Sequence, residues 1–278
     1  MKFDLHCHSH FSDGILSPEM LVSRAKEKEV DVLALTDHDT IAGLALAHKA
    51  AAECGIIIVN GIEFSSQWGK GGVHIVGLGI DVDSTELKNA IHQQHIARVS
   101  RAEQIALRLE KGGITGALEG ARAIAGNADI GRPHFAQYLI NQGVVSNINA
   151  AFKKYLGAGK VADVKYQWPD MQTINSWIHA AGGVAVLAHP CKYELTRVKM
   201  CALIKDFAAA GGDALEVISG QQSLAVTTDL ARIALANNLA ASCGSDFHTP
   251  SQPWQELGSF SALPQNCRPV WELLGFAA

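Results

Sequence analysis

The stretch Lys2-Phe3-Asp4-Leu5-His6-Cys7-His8-Ser9-His10-Phe11-Ser12-Asp13-Gly14 decides how the rest of the chain is read. Apolar residues lead into His6, so the pattern predicts a strand, and alternate residues of a strand share a face. His6 and His8 therefore project to one side and Cys7 to the other, with His10 joining them only if the strand runs on. Ser12-Asp13-Gly14 has turn composition, which ends the strand near Ser9 and sets Asp13 on a loop at its C-terminal rim. Two imidazoles on one face beside a loop carboxylate suit Zn, Mn or Fe without a thiolate. A buried strand with two hydrogen-bonded histidines would read the same way, so the other strands must decide.

Outward from that stretch, helix and strand alternate. Ser17-Pro18-Glu19 combines an N-cap, a first-turn proline and a first-turn acid. Residues 31–35 form an apolar strand ending in Thr36-Asp37-His38-Asp39. A helix over 41–54 closes at Gly55, and a third strand covers 56–63. Strands apolar on both faces, alternating with helices, predict a parallel α/β sheet or barrel. The link 65–72 is too short for a crossover helix. It therefore joins an antiparallel pair and brings Glu63 near His74 at one rim.

A long helix over 84–111 follows, and 112–168 then shows short helical runs without a strand. Alternation resumes with strands near 184–188, 214–218 and 240–243. The first ends at His189-Pro190 and the last at Gly244-Ser245-Asp246-Phe247-His248. The expected architecture is α/β, a distorted (β/α)7 barrel. Residues 1–97 and 169–278 build the barrel, and 98–168 form an inserted α-helical subdomain.

Composition narrows the class. With 278 residues, 48% hydrophobic and 18% charged, the chain is an ordinary globular sequence. It has no apolar run of about 20 residues and no basic leader, so a cytoplasmic protein without a membrane role is expected. The six cysteines are scattered and form neither a C-x-x-C pair nor a disulfide framework. Net charge is −4, but 98–168 carries ten Lys/Arg against five Asp/Glu. That basic segment is a candidate surface for phosphate groups.

The polar residues decide the reading. Asp13, His38, Glu63, His189, Asp246 and His248 all follow apolar strands, at or near their C-terminal ends. Ligands bind and catalysis occurs at that rim in α/β barrels, and structural histidines have no reason to gather there.

His6-Cys7-His8 with Ser12-Asp13-Gly14, Thr36-Asp37-His38-Asp39, Gly61-Ile62-Glu63, Ala188-His189-Pro190 and Ser245-Asp246-Phe247-His248 resemble the PHP (polymerase and histidinol phosphatase) family. Val73-His74-Ile75-Val76-Gly77 and Arg132-Pro133-His134 resemble its branch of nucleoside 3′,5′-bisphosphate phosphatases and 5′→3′ exoribonucleases. The resemblance implies a trinuclear metal phosphoesterase on a seven-stranded barrel, with up to three divalent cations, Mn foremost and Zn or Fe as alternatives. It implies that His6, His8, Glu63 and Asp246 hold one metal. Glu63 would bridge to a second with His74 and His134, and Asp13, His38 and His248 would hold the third.

Two bridged cations acidify a shared water and neutralise the charge that develops on phosphorus. His189 is expected to touch the phosphate or protonate the departing oxygen, so His189 and Glu63 are the candidate catalytic residues. Arg132 and Lys160 are expected to bind a second phosphate. The expected reaction is removal of the 3′-phosphate from nucleoside 3′,5′-bisphosphates, with 5′→3′ hydrolysis of short RNA as the alternative. A histidinol-phosphatase-like enzyme and an amidohydrolase are the further alternatives. The expected partner is a small phosphorylated nucleotide, with no obligate protein partner.

Overall fold

In the computed structural model, which describes residues 1–165 and 168–277, seven strands form one sheet in sequence order. β1 (Phe3–Asp4), β2 (Val32–Leu35) and β3 (Ile57–Trp68) run parallel. β3 then pairs antiparallel with β4 (Gly71–Leu78), and β4 antiparallel with β5 (Val184–Leu187). β6 (Ala214–Ser219) and β7 (Ala240–Gly244) restore parallel pairing. The predicted reversal after Glu63 is tighter than an eight-residue link. β3 continues to Trp68, and Gly69, at φ 57°, makes a two-residue turn into β4.

The sheet curls until its ends meet. Leu5 N–H donates to Cys243 O at 3.0 Å, His8 N–H to Phe247 O at 2.9 Å and Asp246 N–H to His6 O at 2.8 Å. The regular strand β1 is therefore shorter than the extended segment 3–8. Beyond Asp4 the segment is stitched to the end of β7 and the chain that follows it by these bonds and by the Cys7–Phe247 bridge. Gly244 permits this closure, because a side chain there would run into His6 Cβ. Alternation along 5–8 holds: Cys7 is fully buried against the Leu33 and Leu35 side of the sheet, while His6 and His8 face the barrel rim.

Helices α1 (Pro18–Glu27) and α2 (Leu44–Cys54) cover the first strands. Ser17 caps α1, its Oγ accepting Met20 N–H at 3.2 Å. The 27-residue α3 (Thr85–Lys111) leaves the barrel and does not return directly. Its Leu87 and Ala90 lie in the barrel core, whereas its Ala102, Ile105, Ala106 and Leu109 belong to a second core. That second core is completed by α4 (Ala117–Ala125), α5 (Arg132–Asn141), α6 (Ile148–Ala151) and a π-helical turn at Phe152–Leu156. The expected boundary at residue 98 thus falls inside one continuous helix. α7 (Met171–Ala180), α8 (Arg197–Ala209) and α9 (Leu224–Ala236) pack the remaining face of the sheet. Among the described residues no helix is long and apolar enough to cross a membrane.

Candidate metal centre

Glu63, fully buried on β3, is the hub of the barrel rim. Its Oε1 lies 2.9 Å from His189 Nε2, 3.0 Å from His74 Nδ1 and 3.3 Å from His6 Nε2. Its Oε2 lies 2.9 Å from His38 Nδ1 and 3.4 Å from His8 Nε2. Beside this hub, Asp246 Oδ1 stands 3.2 Å from His8 Nε2 and 3.5 Å from His6 Nε2. Asp13 Oδ1 stands 3.2 Å from His248 Nε2, and its Oδ2 3.7 Å from His38 Nε2.

The loops that present these groups are held by buried carboxylates. Asp37 accepts Ser9 N–H at 2.7 Å and the Ser9 and Ser12 hydroxyls at 2.6 Å, which fixes the turn before Asp13. Asp39 accepts Ser65 N–H at 2.8 Å and donates its own N–H to Glu63 O at 2.9 Å. Glu216, on β6, bonds His6 Nδ1 at 3.1 Å and accepts His189 N–H at 2.5 Å. With His6 Nδ1 donating to Glu216, Nε2 is turned toward the cluster.

The electrostatics favour a cation among these groups. Burial opposes ionisation of Glu63, but His38, His74 and His6 hold it well below the usual carboxylate range. Burial pushes His8 down to about 3 and His74 down to about 4, so both are neutral imidazoles with lone pairs to give. Burial also opposes a proton on His6, yet Glu216, Glu63 and Asp246 raise it well above the imidazole range. The field that holds that proton suits a divalent ion equally.

Hydrogen bonding tells the same story. His38 Nδ1 and Glu63 Oε2 are 2.9 Å apart but misaligned, and each is a buried atom without a hydrogen-bond partner among the described residues. His6 Nε2 and His8 Nε2 face one another at 3.1 Å. The lone pairs of the neutral His8 and His74 rings and the carboxylates beside them make a ligand set, and imidazole with carboxylate suits Zn, Mn or Fe.

Among the described residues four groups have donor atoms close enough to share an ion. They are His8/Asp13/His38/His248, His6/His8/Asp246, His38/Glu63/His74 and His6/Glu63/His189. These bring together eight of the nine expected ligands: His6, His8, Asp13, His38, Glu63, His74, Asp246 and His248. His134 joins none of them. It sits in the first turn of α5, where its Nδ1 accepts Gly131 N–H at 2.9 Å. The third side chain beside Glu63 and His74 is His38, while His189, which was expected at the phosphate, groups with Glu63 and His6. His10, exposed, stays outside. Sequence reasoning missed Glu216, whose one signal was a carboxylate in the middle of an otherwise apolar strand.

Above the cluster opens a cleft of about 1130 Å³, with the inserted helices as its far wall. Arg98, Arg101 and Arg132 line that wall. Arg98 is neutralised, its Nε donating to Asp39 at 2.6 Å and its Nη2 to Ser65 Oγ at 3.0 Å. Arg101 Nε is buried with no hydrogen-bond partner among the described residues. Burial, Arg132 and Arg98 push Arg101 down to about 9, and burial lowers Arg132 as well. Arg98 and Arg101 lie over Trp168, and Arg132 over Phe152. Lys160 is exposed on the insertion and is not among the residues lining the cleft.

Comparison with known proteins agrees with this geometry. A protein of Haemophilus influenzae described as a 5′-3′ exoribonuclease is 47% identical over 98% of both chains. A 3′,5′-nucleoside bisphosphate phosphatase of Chromobacterium violaceum is 43% identical over 98% of this chain and 96% of that one. A solved structure from C. violaceum, described as an amidohydrolase with bound sulfate and no metal, superposes with a TM-score of 0.92 at 43% identity. It covers 99% of this chain and 96% of that chain. The PHP domain profile matches residues 4–160, which contain Glu63 and most of its imidazole neighbours, and on that match and those identities the chain belongs to the PHP domain family.

Proposed function

We propose that the chain is a metal-dependent phosphoesterase that removes the 3′-phosphate of nucleoside 3′,5′-bisphosphates. The observation that carries this reading is the arginine wall facing the carboxylate–imidazole cluster across one cleft. Arg98 has its counterion, but Arg132 repels Arg101, and among the described residues no carboxylate is bonded to either guanidinium, Asp163 acting on both only at a distance. Such a pair suits an anion arriving from the cleft, and guanidinium forks fit phosphate oxygens bidentately. One phosphate lies at the cluster and the second at this wall; a monoester would leave the wall unused.

His6, His8, Glu63 and Asp246, then Glu63 with His38, His74 and His189, then Asp13 with His38 and His248, are the residues that would hold up to three divalent ions. Such ions supply Lewis acidity toward phosphoryl oxygens and acidify a water. The chain's own residues do the rest. Glu216 fixes the ring of His6 and the backbone at His189. Trp168 and Phe152 hold the guanidinium planes in place for the distal phosphate. The inserted helices thereby form a substrate wall.

A second reading, 5′→3′ exoribonuclease, is favoured by the size of the cleft, which exceeds the roughly 300–1,000 Å³ typical of small-ligand pockets. The test compares kcat/KM with Mn²⁺ for adenosine 3′,5′-bisphosphate, 3′-AMP, 5′-AMP and a 5′-phosphorylated trinucleotide. The bisphosphate is expected to exceed 3′-AMP by about tenfold or more, the value of one charge-assisted contact. Equal values for those two would remove the second-phosphate argument, and a clear lead for the trinucleotide would install the exoribonuclease.

A further inference from the structure

Lys192 joins the cluster to the cleft: it is bonded to Asp246 and lines the open space above it. Lys192 lies on the 3₁₀ turn Pro190–Tyr193 that follows β5. Both ends of this turn are tied to the site. His189 donates its N–H to Glu216 and sets its Nε2 against Glu63. The Tyr193 hydroxyl donates to Ala188 O at 2.9 Å and accepts His74 N–H at 2.8 Å. Lys192 N–H closes the turn on His189 O at 2.9 Å. His189 and Glu194, which flank the turn, have φ of 29° and 52°, conformations bulky residues adopt only when their surroundings impose them.

From this fixed base the Lys192 ammonium bonds Asp246 Oδ2. The carboxylate is divided between two tasks: Oδ1 faces His8 and His6 at 3.2 and 3.5 Å, and Oδ2 faces Lys192 and Gln255 Nε2, the latter at 3.3 Å. Lys192 therefore does not compete for the oxygen that faces the imidazoles. Its side chain is 39% exposed and lines the cleft. An ammonium has three N–H donors, and the bond to Asp246 uses one. A counterion serving Asp246 alone would have no need to reach the cleft.

We propose that Lys192 is a catalytic residue whose ammonium donates to the oxygens of the scissile phosphate while Asp246 Oδ2 holds it in position. The contact is charge stabilisation: no proton changes hands and no bond to nitrogen forms. It rests on the phosphoesterase reading of the cluster. It also replaces His189 as the phosphate contact, since His189 Nε2 is turned to Glu63.

The test uses the full chain loaded with Mn²⁺, with metal content measured, and the variants Lys192→Met and Lys192→Arg. Lys192→Met is expected to keep wild-type metal content. It should lose about ten- to a hundredfold in kcat and bind inorganic phosphate about tenfold more weakly in calorimetric titration. Lys192→Arg is expected to recover part of both. Wild-type turnover and phosphate affinity in Lys192→Met would overturn the proposal, as would losses that disappear at saturating Mn²⁺. Should Lys192→Met not fold, Lys192→Gln carries the same measurements. A wild-type protein that hydrolyses no phosphoester would instead sink the functional reading.

Discussion

Arg101→Met should make the protein more stable and less selective at the same time. Arg101 is displaced from 12.5 to about 9 by burial and by its arginine neighbours. At about 1.4 kcal/mol for each tenfold change in acidity, holding that charge costs on the order of 5 kcal/mol. The side chain still reaches the cleft, and an effective dielectric near 20 reduces the figure to about 1–3 kcal/mol. Methionine preserves the packing on Trp168 while removing the charge. For a chain of this length about 2 °C accompanies each kcal/mol, so Tm should rise by about 2–6 °C by calorimetry. The same change removes a charge-assisted contact worth about 1.5–3 kcal/mol, or roughly ten- to a hundredfold in kcat/KM. That loss should appear with adenosine 3′,5′-bisphosphate and not with 3′-AMP. A lower Tm, or equal losses on both substrates, would refute the idea that Arg101 stands unsatisfied until a second phosphate arrives.

Glu63→Gln should lose about one cation per chain by elemental analysis and more than about a hundredfold in kcat, because five imidazoles share its carboxylate. Arg98→Met strands Asp39 without its buried partner and should destabilise the chain by about 3–5 kcal/mol in urea unfolding. Mn²⁺ at about a hundred times its dissociation constant should stabilise the metal-free chain by about 2.7 kcal/mol, and a chelator should reverse the gain. A melting curve indifferent to both would count against the metal centre.

The barrel could be read in the sequence because its strands are apolar runs ending in polar residues, and the reversal after Glu63 because its link was too short for a helix. Eight of the expected ligands could be named because they sit at strand ends, where the chain's topology alone brings them to one rim. His134 lies outside the four donor groups and His189 inside one of them, each for a local reason. His134 opens a helix and spends Nδ1 on its cap, whereas His189 is folded inward by a left-handed backbone that no residue pattern announces. Arg98 and Arg101 were hidden in a helix of mixed charge. Their spacing puts them on one face, but that the face meets the cleft depends on where α3 crosses the rim. Lys160 lies off the cleft lining for the converse reason: a basic segment does not say which of its charges face the cleft.

The closure of the barrel also sets a schedule for synthesis. Ser245 Oγ donates to His6 O, a contact between positions 239 residues apart. At a ribosomal rate of about 5–20 residues per second, His6 and His8 emerge on the order of 10–50 s before Asp246 and His248 exist. Throughout that interval the nascent chain has two exposed sheet edges and an incomplete set of ligands. A change that slows synthesis of the last hundred residues therefore lengthens the time before the ligand set can be completed.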